Sequence, residues 1–223
     1  MLGSFRRLKK RKLELDHVAR GAVRGLMKRL QRREAFVVCE TADGKRSGKL
    51  DEGKAVPVLI EALSASDLHL RYSAAEVLGR MGVAAAPAIP MLQRMVGCDP
   101  QPGDRPGEAL ARMGAEGVET LIELLRSDEP PRRAAAALAL RRVGTDCWAA
   151  AEALVHSLDD TDAVVRQHAA GSLGELGLSS DKVIASLHRR LGDPSLSARH
   201  AARKALTRLS HAADATLAVT ARS

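Results

Sequence analysis

A leucine-anchored unit of 29 to 33 residues recurs five times in this chain, and no other feature constrains the fold as strongly. A period of that length marks an array whose units are each too small to bury their own apolar face, so that neighbours must stack. The anchors are Leu59, Leu92, Leu121, Leu154 and Leu187. Four residues on stand Leu63, Val96, Leu125, Leu158 and Leu191, one helical turn away on the same face. Twelve residues after the anchor comes an arginine in four of the five units: Arg71, Arg133, Arg166 and Arg199. Twenty-three after it, glycine closes three units at Gly82, Gly144 and Gly177; the second unit has Gly114 one residue early and the last has Ser210.

Between arginine and glycine the apolar and small residues keep helical spacing. They are Ala74, Ala75, Leu78 and Met81 in the first unit, Ala136, Ala137, Leu140 and Val143 in the third, and Ala169, Ala170, Leu173 and Leu176 in the fourth. A stripe with a period of about 3.6 residues is not the alternation of a strand, and paired alanines let two helices approach closely. Each unit therefore reads as a helical hairpin. The helices are expected near residues 55–64 and 69–81, 86–96 and 106–113, 116–126 and 131–143, 147–158 and 163–176, and 181–191 and 195–209. The closing glycines suit left-handed C-caps. Asp67, Asp128, Asp162 and Asp193 lie in the turns, where a short carboxylate caps a helix N-terminus. The second unit departs from the pattern: Gly103 stands where the arginine belongs, and Pro106 and Gly107 where the alanines belong. Proline is tolerated in a first helical turn, so this second helix is expected to start late, near Pro106, after a longer loop.

The run Asp162, Arg166, Ala169-Ala170, Leu173-Gly174 resembles the HEAT-repeat family, in particular its phycobilisome-lyase-like (EZ-type) repeats. The resemblance covers residues 55–210. It implies an all-α α-solenoid of about five hairpins, and a structural ladder in which Arg71, Arg133, Arg166 and Arg199, with Asp67, Asp128 and Asp162, tie neighbouring repeats together. It also brings two enzymatic alternatives, a phycobilisome-lyase-like subunit and a deoxyhypusine-hydroxylase-like enzyme. By the resemblance, the hydroxylases hold two irons through His-Glu pairs. Here the pairs read His168-Ala169 and His200-Ala201, and no His-Glu dipeptide occurs. Iron of that type wants carboxylate beside imidazole, so no metal and no cofactor is expected, and both histidines read as surface residues. A chromophore pocket would need more than the aromatics available, which are Phe5, Phe36, Tyr72 and Trp148. No nucleotide-binding glycine motif or catalytic triad order is present.

Cys39, Cys98 and Cys147 stand far apart with no CxxC spacing, which disfavours a disulfide framework and favours a reducing compartment. No apolar run approaches the roughly 18 residues of a membrane span, and no apolar stretch follows Arg6-Arg7 as in a signal peptide. The expectation is a soluble, cytoplasmic protein. The net charge of +8 is unevenly spread: residues 1–54 hold 16 Lys+Arg against 7 Asp+Glu, and the remainder is nearly balanced. The chain thus divides into a basic N-terminal segment (1–54), the repeat array (55–210) and a tail (211–223).

Within the basic segment, Arg6, Arg7, Lys9, Lys10, Arg11 and Lys12 form the run best suited to a polyanion, whether nucleic acid or an acidic surface. A helix is expected from about Leu13 to Val38, capping the first repeat or docking elsewhere as a basic amphipathic element. Phe36–Cys39 reads as a short strand and Asp43-Gly44 as a turn.

The exposed positions of the second helices place arginine at Arg80, Arg112, Arg142 and Arg208, a possible phosphate track. Glu76, Asp104, Glu108 and Glu175 interrupt it, and aromatics for base stacking are nearly absent. The leading expectation is therefore a non-enzymatic scaffold that binds a protein partner along its concave second-helix face. The contacts would be Tyr72, Glu76, Arg80, Arg112, Leu138, Arg142, Gln167, Glu175, His200, Lys204 and Arg208. These positions vary from unit to unit while the packing positions do not.

Overall fold

The computed structural model describes residues 52–98, 104–144 and 147–220, with helical backbone at Gly21 and Gly25. The helix expected over residues 13–38 is otherwise outside the described residues, as are the basic run Arg6–Lys12, the strand at Phe36–Cys39 and the turn at Asp43-Gly44. The described residues hold helices, turns and loops, with no strand among them.

Five hairpins follow one another. The first is α1 (Glu52–Leu63) and α2 (Leu68–Met81). The second has a 3-10 stretch (Gly82–Ala88) leading into α3 (Ile89–Met95), then α4 (Arg105–Leu110). The third is α5 (Gly114–Leu124) and α6 (Pro130–Ala139), with a 3-10 turn at Leu140–Arg142. The fourth is α7 (Trp148–Ser157) and α8 (Ala163–Leu176), and the fifth is α9 (Asp181–Arg190) and α10 (Leu196–Thr220). First helices pack on first helices and second on second, each hairpin against its neighbours in sequence, most extensively along α6, α8 and α10. This is an α-solenoid. The anchors Leu59, Leu92, Leu121, Leu154 and Leu187 are all fully buried, with the paired alanines of the second helices beside them. Burying each leucine contributes about 1.5–3 kcal/mol.

Local chemistry sets the helix ends. Asp67 accepts from the His69 and Leu70 N–H groups at 2.9 and 3.4 Å, and Asp162 from Val164 and Val165 at 2.8 and 3.2 Å. In the second unit Asp104 caps α4 through the Gly107 N–H at 3.1 Å, with Pro106 in the first turn. The late start is as expected, but α4 ends at Leu110 and is only 6 residues long. Gly82 and Gly177 cap α2 and α8 with positive φ, and Gly114 takes positive φ where α5 begins. Gly144 does not: α6 tightens into the 3-10 turn, and Val143 leaves it extended with ψ 159°. At the other end, α10 continues through residues 211–220.

The arginines work in two ways. Nη1 of each clasps two carbonyls of its own turn: Ala65 and Ser66 for Arg71, Ser127 and Asp128 for Arg133, Asp160 and Thr161 for Arg166, Asp193 and Pro194 for Arg199. Arg133 and Arg166 also reach the next repeat. Arg133 Nε and Nη2 donate to the two carboxylate oxygens of Asp160, both at 2.8 Å. Arg166 does the same to Asp193 at 2.8 and 2.9 Å. At these two rungs the carboxylates are Asp160 and Asp193. Asp67 and Asp162 cap their helices, and Asp128 offers its main-chain carbonyl. Among the described residues, such rungs join the third unit to the fourth and the fourth to the fifth.

Burial alone would raise the Asp160 carboxyl, but hydrogen bonds from Arg133 and the Asp162 N–H hold it below its ordinary value. At Asp193 the bond from Arg166 dominates and lowers it against burial. The same bonds raise both arginines, which therefore stay charged.

Candidate functional site

The second helices leave one row of side chains outside the core. Their closest approaches are made by glycine: a Cβ on Gly79 would sit 2.7 Å from the Ala109 Cα, and one on Gly174 would sit 2.7 Å from the Ala205 Cα. Across the row, carboxylates on one helix meet arginines on the next. Glu76 of α2 pairs with Arg105 of α4, and Glu175 of α8 with Arg208 of α10. Glu108 of α4 lies 3.6 and 3.5 Å from Arg141 and Arg142. The glutamates that break up the arginine stripe in sequence are the partners of arginines in space.

Between α6 and α8 the rung is of another kind. His168 Nδ1 donates to the Ala134 carbonyl at 3.0 Å, and Ser172 Oγ to the Ala137 carbonyl at 2.6 Å. His168 is therefore half-buried and tied to α6, not the free surface histidine expected, whereas His200 is exposed. At the same level α8 carries Gly171, where a Cβ would meet nothing within 4 Å. The missing side chain opens a groove of about 590 Å³ across α6, α8 and α10.

This groove brings together Leu138, Gln167, Glu175, His200, Lys204 and Arg208, six of the residues picked from sequence, and adds Arg141, His168, Gly171, Ser172, Leu196 and Ser197. Leu196, 72% exposed, is the most exposed large apolar side chain among the described residues. Tyr72, Glu76, Arg80, Arg112 and Arg142 lie outside it; Glu76 and Arg112 line a small cleft with Arg105, Glu108 and Ala109. The missed residues had a readable signal. The cross-helix pairs are 29, 34 and 33 residues apart, the repeat period itself, and both ladder pairs are 27 apart. Gly171 had none, because a glycine on an exposed helix face reads as a weak helix position.

Among the described residues, no three His, Cys, Asp or Glu side chains come together as metal ligands, and no helix is long and apolar enough to cross a membrane.

A family model described as HEAT repeats matches residues 107–174 and 151–221, together more than half of the chain. The chain belongs to the HEAT-repeat family. Among solved structures, this HEAT-repeat protein is similar to the complex of CpcE and CpcF of phycocyanin lyase from Nostoc sp. PCC7120. The identity is 21%, 69% of this chain and 98% of that one are covered, and the TM-score is 0.54. It is also similar to human deoxyhypusine hydroxylase (18% identity, 71% and 75% covered, TM-score 0.45) and to an engineered protein (19% identity, 92% and 90% covered, TM-score 0.48). At such identities the likeness is one of fold. No curated protein sequence matches the chain.

Proposed function

We propose that this HEAT-repeat protein is a non-enzymatic scaffold that binds a protein partner along its second-helix face. The observation that carries the reading is the contrast between two sets of positions on the same helices. Packing positions repeat as alanine, leucine or glycine, whereas exposed positions change from Glu76 to Glu108, Leu138, Gly171 and Lys204 in successive units. A rigid array with a variable face presents a particular surface to a particular partner. The close approach of the second helices, with Gly79 against Ala109 and Gly174 against Ala205, supports reading this row as the inner, concave side. The CpcE and CpcF repeat proteins are themselves found in a complex, which fits the same use.

The test is capture of partners on the immobilised protein, with Arg142, Glu175 and Arg208 replaced by alanine. The Glu175–Arg208 pair is 44% and 41% exposed, and exposed pairs contribute only about 0–1 kcal/mol, so the variant keeps its helical circular dichroism. Release of partners by the folded variant supports this surface; undiminished retention overturns it.

A further inference from the structure

We propose that the groove over Gly171 seats an extended acidic peptide that carries one aliphatic side chain; this rests on the partner-binding reading above and names the chemistry of the segment held. The groove has two qualities that are seldom combined on this surface. Its floor is open, because Gly171 offers no side chain, and Leu138 of α6 and Leu196 of α10 give its lining an apolar share. An aliphatic group placed there covers Leu196, which is 72% exposed. Its rim is cationic: Arg141, Lys204 and Arg208 line it against one carboxylate, Glu175, which already pairs with Arg208. Arg141 is held loosely, at 3.6 Å from Glu108, and its Nε finds no hydrogen-bond partner within the protein. Lys204 pairs with no carboxylate among the described residues.

Charge complementarity selects the occupant. Residues 1–54 of the chain are strongly basic and would be repelled by this rim, so the groove does not suit its own N-terminal segment. A nucleic-acid strand wants aromatic stacking platforms beside its cations, and no aromatic side chain lines the groove. An acidic peptide meets both features: carboxylates flank the aliphatic residue and reach Lys204 and Arg141 while the aliphatic group fills the notch.

Fluorescence anisotropy tests this on the full chain with labelled five-residue peptides. Glu-Glu-Leu-Glu-Glu is compared with Lys-Lys-Leu-Lys-Lys and Glu-Glu-Gly-Glu-Glu, and with an oligo-dT strand. Gly171→Leu puts a side chain into the groove from a Cβ position that has open space, and leucine is the better helix former; Lys204→Glu reverses the charge of one rim residue. The leucine-centred acidic peptide is expected to bind, to weaken as salt rises, and to lose about tenfold or more in affinity, at least 1.4 kcal/mol, in each variant. The lysine and glycine peptides are expected to bind no better than the variants do. No binding of the acidic peptide, equal binding of the lysine peptide, displacement by oligo-dT, or unchanged binding by Gly171→Leu would each overturn the assignment. If the peptide fails while alanine at Arg142, Glu175 and Arg208 still releases captured partners, the partner-binding surface stands and only its acidic occupant falls.

Discussion

At the scale of single residues, Arg166 and Asp193 show how much one pair can hold. Asp193 is 3% exposed and its side chain is fully enclosed. Removing Arg166 leaves the buried carboxylate to Arg190, at 3.6 Å, and the Ser195 N–H; breaking a buried pair from one side costs about 3–5 kcal/mol, an upper bound here. Arg166→Met should therefore lower stability by up to that amount in urea unfolding. Arg199→Met, which loses the clasp on the Asp193 and Pro194 carbonyls, should cost less. Asp160 and Asp193 both titrate lower folded than unfolded. The stability they contribute is complete above the ordinary carboxylate value, near 4, and is lost as pH falls through their folded values. The thermal midpoint should hold between about pH 7 and pH 5 and drop below about pH 4; Asp193→Asn should drop less on acidification, from a lower start.

At the scale of elements, much was legible because each hairpin repeats its own instructions. The leucine anchors, the alanine pairs, the Asp67 and Asp162 caps and the late start at Pro106 are local signals, and local signals survive in sequence. What stayed hidden depends on two hairpins meeting. Asp160 and Asp162 are indistinguishable two positions apart until the Arg133 side chain arrives from the preceding unit. His168 and His200 sit at nearly the same repeat position, yet only His168 finds a carbonyl on the neighbouring helix. Gly171 and Gly174 make the point within α8. Alanine at Gly171 has open space and should stabilise the helix by about 1 kcal/mol. Alanine at Gly174 would press a methyl to 2.7 Å from the Ala205 Cα and should destabilise by about 1–3 kcal/mol, as overpacking does. Two substitutions of one kind, one turn apart, thus shift the thermal midpoint in opposite directions.

At the scale of the whole molecule, stability in such an array is close to a sum of unit and interface terms, and here the terms are unequal. The third to fifth units share two enclosed arginine–aspartate rungs and the close seam of α8 with α10. Among the described residues the second unit has the shortest helix, and the sequence has no arginine at its repeat position. Hydrogen exchange should register this as local opening: amides of α4 should exchange faster than those of α8, and Arg166→Met should narrow the difference. The variable face follows the same division, since the groove over Gly171 is built entirely on the well-tied helices α6, α8 and α10.

That inequality also has a mechanical side. Each rung holds two helices by a pair of parallel hydrogen bonds, and where both rungs exist the array resists bending like a clamped spring; around the short α4 the described links are packing, exposed charge pairs and a single bond from Arg132 Nη2 to the Gln93 carbonyl at 2.7 Å. Tension along the solenoid would therefore be taken up first around α4, while the clamped helices keep their spacing and the shape of whatever they grip.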